Sequence, residues 1–298
     1  MELSVPTSSD FNYKRTVISH GWCELPPFSF DKETWTLARV LEPDDARPVA
    51  VRISEGPASL IVRTPHKLGR RAVAAVVRDV RHIFRLDDAL AEFYAATSAH
   101  AEFAWIAREG AGRLLRSPTV FEGLVKTICT TNCSWAFTDK MVVNLVAGLG
   151  RETRDAQRAF PSAAAMAAAP LHFTQMSRAG YRAPYLKELA ERVASGALDT
   201  EAWLRSALPT DELKREIKSV KGVGDYAAEN LLKLMGRYDG LALDSWVRAK
   251  YTRTRNGGRP TTDQKISRTY ACFRSWRGLA LWCDMTRDWL DEGQAVKW

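Results

Sequence analysis

Three short runs near the start of the chain alternate between apolar and polar residues: WTLARVL (35–41), PVAVRIS (48–54) and ASLIVRT (58–64). They are rich in β-branched residues and are separated by EPDDAR and EGP, whose Pro, Gly and Asp suit turns, so they predict three strands. From Arg70 the period lengthens. Val73, Val76, Val77, Val80, Ile83 and Phe84 recur at three- and four-residue spacing within RRAVAAVVRDVRHIFRL (70–86). That spacing predicts an amphipathic helix with its arginines in solvent. Strands followed by a covering helix imply a small α+β domain, 1–110.

Almost everything beyond reads helical, which implies a second domain, 111–298. SPTVFEGLVKTICTTNCSWAFTDKMVVNLVAGLG opens with Ser117 as the expected N-cap and Pro118 at the first helical position. Gly148 and Gly150 mark its stop. PSAAAMAAAPL, APYLKELAERVASG, TEAWLRSAL, TDELKREIKSV and YAAENLLKLMG predict further short helices, with TDQKISRTYACF and SWRGLALWCDMTRDWL as a closing pair.

One junction stands apart. TDELKREIKSV, KGVGD and YAAENLLKLMG read helix, tight turn, helix. Leu213, Ile217 and Val220 line one face before the turn, and Ala227, Ala228, Leu231 and Leu232 one after it. Gly222 and Gly224 flank Val223, which could staple the helices, and the second helix starts with exposed N–H groups and a positive dipole end. Such a turn can hold an anion such as a DNA phosphate, and it also fits a simple αα-turn.

Composition sharpens the choice. The chain has 298 residues, with ordinary apolar and charged fractions of 46% and 26%, but a net charge of +8. That surplus favours a polyanionic partner, nucleic acid before anionic membrane. The start of the sequence lacks a secretory pattern and no apolar run is long enough to span a bilayer, so a cytoplasmic protein is expected. The five cysteines are scattered, and Cys129 and Cys133 have no second ligand pair nearby, so free thiols and no metal are expected.

GVGDYAAENLLKL and LDSWVR (243–248) resemble the signature of the helix-hairpin-helix DNA glycosylase superfamily, a hairpin followed by a Gly/Pro-rich loop and an Asp. SPTVFEGLVKTICTTNCSWAFTDKMVVNLVAGLG, GYRAPYLKELA and WRGLALWCDM are similar to other segments of that family, so the resemblance covers most of 117–290. The β-rich first third fits the sheet domain of its 3-methyladenine (bacterial type II) and 8-oxoguanine branches. The fold it implies is α+β: a small N-terminal antiparallel sheet with a covering helix, then a two-lobed helical core. The implied partner is double-stranded DNA containing a damaged base, bound by a monomer, nucleoid-associated if bacterial, without a cofactor.

The resemblance assigns roles residue by residue. Asp244 stands where the family has its catalytic carboxylate, which stabilises the oxocarbenium-like sugar as the N-glycosidic bond breaks; position alone also fits a helix N-cap. Gly222, Val223 and Gly224 would bind the DNA backbone. Bifunctional members carry a Schiff-base lysine two residues after the second hairpin glycine. Here that position is Tyr226, which implies a monofunctional enzyme leaving an abasic site, with Lys218 and Lys221 as remote substitutes. Asn132 aligns with the residue that fills the gap left by a flipped base, and could equally cap a helix break. Tyr226, Trp246 and Trp282 are candidates for the base pocket. Leu281 and Met285 stand where the 8-oxoguanine branch has a Gln and a Phe, which favours an alkylated base. The run RAKYTRTRNGGRP (248–260) could track phosphates or form a solvated loop. The sequence leaves open a bifunctional 8-oxoguanine-type glycosylase/lyase and a lesion-binding module without activity.

Overall fold

The computed structural model describes residues 1–43, 47–170 and 173–290. The middle of the EPDDAR turn and the last eight residues of the expected second domain lie outside the described residues.

β1 (Glu2–Pro6), β2 (Phe28–Asp31), β3 (Thr36–Leu41), β4 (Val49–Gly56) and β5 (Ser59–Arg63) form one antiparallel sheet in the order β1-β5-β4-β3-β2. The three strands predicted from alternation are β3, β4 and β5, which occupy its middle. The two that the pattern missed are its edges: each is short, and β1 ends in a proline, which edge strands tolerate. Leu37, Ile53 and Val62 stand opposite one another across the central strands and are buried. The helix Arg70–Ile83 buries Val76, Val80 and Ile83, as its spacing predicts. The rest of the described chain is mostly helical, giving the α+β class.

Two expectations for helix starts are corrected. Ser117 is buried two residues before the N-cap, which is Thr119; its Oγ1 accepts from Glu122 N, and the helix is Val120–Thr130. The N–H groups of Val120 and Phe121 donate to the two carboxylate oxygens of Glu201, each at 3.0 Å. A carboxylate from outside the helix thus caps its first turn, which local sequence cannot reveal. TEAWLRSAL supplies that carboxylate from a 3-10 turn, Glu201–Arg205, and not from a regular helix.

The alternation of β3 conceals one charge. Arg39 lies between Leu37 and Leu41 on the inward face and is buried. Its guanidinium meets Glu122 in a two-point bond of 2.8 and 2.5 Å, and Lys126, one helical turn on, meets the same carboxylate at 2.7 Å. Phe28, opposite Arg39 on β2, lies under the guanidinium, 4.3 Å from ring centroid to carbon. Burial alone would raise the Glu122 pKa, but the two cations override it and hold it at about 2. This cluster fastens the sheet to the helix Val120–Thr130.

Apolar side chains gather into two cores. One joins the sheet's inner face to Leu124, Ile128, Leu213, Ile217 and Leu231, and the other joins Phe93 and Trp105 to Tyr251, Tyr270, Phe273 and Leu279. Leu234, near the end of the second hairpin helix, packs against both.

Breaking the buried cluster should show in stability. A Glu122→Gln variant leaves two buried cations without their counter-charge and should lose about 3–5 kcal/mol at neutral pH. Because the folded-state pKa lies below the unfolded carboxylate value, the Glu122 contribution is full above the ordinary carboxylate range and fades as pH falls toward 2. Urea unfolding at neutral and acidic pH should give a lower midpoint for the variant and a flatter pH dependence.

Candidate active site

The hairpin forms as its pattern predicts, from helices Thr210–Lys218 and Asp225–Met235. Gly222 has φ +85, and a Cβ there would come within 2.8 Å of the Tyr185 ring, so only glycine fits. Gly224 is the N-cap of the second helix and is open to solvent. Val223 contributes differently: its side chain is buried in the core and its N–H donates to Val220 O. It is the staple, with the two glycines left at the surface.

A second carboxylate fixes the segment between the hairpin and Asp244. Glu229, one turn into the second helix, accepts from Lys214 Nζ and from Ala242 N, each at 2.6 Å. Ala242 has φ +52, a bend that this contact holds. The chain is thereby turned back so that Asp244 begins the helix Ser245–Arg255. Asp244 Oδ1 accepts from Val247 N at 2.7 Å, the N-cap geometry that position alone predicts. The Tyr226 phenol is a neighbour of the same carboxylate; burial and that negative charge push the phenol pKa up.

These groups face a cavity of about 800 Å³. Asn132, Gly222, Gly224, Tyr226 and Asp244 line it, together with the indoles of Trp246 and Trp282; Val223 does not. The sequence-based candidates thus converge, apart from the staple. Trp246, Trp282 and Trp289 form a cluster with centroids 5.7 to 6.0 Å apart. Trp282 is pinned from the other side, its Nε1 donating to Ser19 O at 2.7 Å. Asn132, exposed and with φ +46, sits between the helices Val120–Thr130 and Trp135–Leu149. Its neighbour Thr131 is held by the buried Arg182.

Lys218 and Lys221 do not line the cavity. They pair with Asp225 at 3.0 Å and Glu188 at 2.6 Å. The basic run after Asp244 is also largely engaged: Arg248 pairs with Asp263, Lys250 with Asp288, and Arg255 with Asp284 and Glu102. Arg253 and Arg259 are left exposed, so the run offers fewer cations to an outside partner than its composition suggests.

Sequence reading missed three lining groups. Tyr181 is an exposed aromatic at the cavity, 55% accessible, from GYRAPYL. His20 is buried, with Nε2 at 2.6 Å from Leu115 O, and burial lowers its pKa to about 4, so it is neutral. Lys233 follows Tyr226 by two helical turns and is only 3% exposed. Burial lowers its pKa to about 8 against the pull of Glu229 and Asp244. The periodic spacing from Tyr226 was the available signal. Among the described residues no cluster of His, Cys, Asp and Glu could hold a metal, and no helix is long and apolar enough to cross a membrane.

No known family's sequence profile matches the chain, and no curated protein does. Solved structures do match. MBOgg1 in complex with a low-affinity DNA ligand has a TM-score of 0.75 at 20% identity, over 98% of this chain and 96% of that one. The 3-methyladenine DNA glycosylase of Archaeoglobus fulgidus has 0.74 at 20%, over 97% and 99%. The apo 8-oxoguanine glycosylase/lyase of Clostridium acetobutylicum has 0.73 at 20%, over 95% of each. At this identity the likeness is one of fold, and it extends through the sheet as well as the hairpin. The chain has the fold of the helix-hairpin-helix DNA glycosylase superfamily.

Proposed function

We propose that this protein is a monofunctional DNA glycosylase that hydrolyses the N-glycosidic bond of a damaged base in duplex DNA and leaves an abasic site. The observation that carries the reading is Asp244: a carboxylate held by Val247 N, beside the Tyr226 phenol, at the wall of an aromatic-lined cavity with room for a flipped base. Charge that develops on the deoxyribose as the bond breaks would meet a preorganised carboxylate, which can also orient the attacking water. The hairpin glycines would approach a phosphate and position the duplex without reading sequence. The base would swing out into the cavity beside Trp246 and Trp282, with Asn132 at the gap.

Tyr226 supports the monofunctional assignment. A phenol cannot form a Schiff base, and the lysines nearest the hairpin turn away into ion pairs. Leu281 and Met285, aligned with the 8-oxoguanine branch's Gln and Phe, are buried in the second core and do not line the cavity, so that recognition pair has no counterpart in its wall, which leaves an alkylated base favoured. The N-cap role could be met by a neutral Asn, so a non-catalytic lesion binder would have no need of this negative charge beside the anionic sugar-phosphate chain. The reading also implies a monomer in the cytoplasm or nucleoid.

Two substitutions separate chemistry from folding. Asn caps a helix as well as Asp does, so Asp244→Asn should keep wild-type stability, whereas Asp244→Ala should lose about 1 kcal/mol. Both should lower base release by about a hundredfold or more, the scale for removing one preorganised electrostatic group. Duplexes carrying alkylated purines, hypoxanthine, uracil or 8-oxoguanine, resolved with and without hot alkali, provide the assay. Strand breaks that require alkali and vanish in Asp244→Asn are expected. Breaks without alkali would defeat the monofunctional reading, and binding without base release would favour the non-catalytic module.

The hairpin makes a different prediction. Gly222→Ala should weaken binding to damaged and undamaged duplexes alike, by about tenfold for one lost charge-assisted contact. Fluorescence anisotropy with both duplexes checks it; a loss confined to damaged DNA would contradict the role.

A further inference from the structure

Tyr226, Asn230 and Lys233 succeed one another at four- and three-residue steps along the second hairpin helix, and all three line the cavity. This is one face of the helix, carried inward from the hairpin. The last of the three is out of keeping with its surroundings. Lys233 is buried, its Nζ lies 4.9 Å from the centroid of the Trp282 ring, and among the described residues its ammonium has no hydrogen-bond or ion-pair partner.

The carboxylates that could satisfy it are committed elsewhere. Glu229, one turn back on the same helix, is held by Lys214 Nζ and Ala242 N. Asp244 is held by Val247 N, with the Tyr226 phenol beside it. His20 is neutral and donates toward Leu115 O. A largely buried ammonium is costly unless its donors are met. The Lys233 side chain lines the cavity beside the tilted indoles of Trp246 and Trp282, and its donors are free for a ligand to take.

We propose that Lys233 selects the base: the pocket takes an uncharged lesion that turns a hydrogen-bond acceptor inward, and it rejects cationic N-alkylated purines. This rests on the glycosylase reading and narrows it, since an alkylated base would then be one of the uncharged kind. The acceptor can be a carbonyl oxygen, as in a deaminated purine, or a ring nitrogen, as in an etheno adduct. An acceptor completes the ammonium, whereas a second positive charge at this depth meets an unscreened like charge.

The test measures binding, so that it does not depend on catalysis. Duplexes carrying hypoxanthine, 1,N6-ethenoadenine or 7-methylguanine on 2′-fluoro sugars, which resist cleavage, are titrated against wild type, Lys233→Met and Lys233→Gln. Wild type should prefer both uncharged lesions to 7-methylguanine. Lys233→Met should shrink that preference by about tenfold to a hundredfold, weakening the first two and strengthening the third, as expected for losing a hydrogen bond from a charged donor. Lys233→Gln, which keeps a donor but no charge, should retain binding of the uncharged lesions and gain 7-methylguanine. A general loss of folding or pocket shape would weaken all three duplexes together. Unchanged ratios in both variants, or a wild-type preference for 7-methylguanine, would overturn the assignment. Base release is scored separately against Asp244→Asn: its absence, with the binding preference intact, would remove the glycosylase reading and leave the selectivity of Lys233 standing.

Discussion

A carboxylate buried among apolar side chains must be answered by cations, and the answer given to Glu122 organises this fold. Arg39 comes from the sheet and Lys126 from the same helix as Glu122, so the bond cannot form unless sheet and helix are docked. That helix then contributes Thr127 and Ile128 to the cavity. Trp282, from the far end of the chain, closes the other side by donating to Ser19 in the N-terminal region. The sheet thus braces the helix that helps wall the site, although none of its strands lines the cavity.

Much of this was legible in the sequence, and the exceptions have physical reasons. Leu213, Ile217, Leu231 and Leu232 repeat with helical spacing and bury as expected, and the glycines between them mark a turn. Asp244 was legible as a helix N-cap from its position, and as a candidate carboxylate only through the family resemblance. Arg39 was not, because its partner lies eighty-three residues away and nothing in WTLARVL distinguishes an inward arginine from an outward one. Lys233 sits in LLKLM, where a lysine ordinarily reaches solvent; only the second core, folded over it, decides otherwise. RAKYTRTR misled in the opposite sense, since Arg248, Lys250 and Arg255 are engaged by acids brought in from three other segments.

On the proposed reading, Asp244 combines two roles that do not compete. As an N-cap it uses one oxygen on Val247 N, and the positive end of the helix dipole favours its negative charge. The Tyr226 phenol lies beside it on the hairpin side. A side chain fixed in this way loses little freedom when a reaction begins, which is what electrostatic preorganisation requires. On the proposed reading, the phenol beside the carboxylate stands where a bifunctional enzyme would need its nucleophile.

Glu229 joins the hairpin to the segment that ends at Asp244, through Lys214 on one helix and Ala242 in the loop. On the proposed reading, one end of this rigid piece touches the phosphate chain and the other faces the sugar. The separation between them is then a built-in ruler. It sets how many nucleotides lie between the point where the strand is held and the point where it is cut from its base, and it does so identically for every sequence the protein meets.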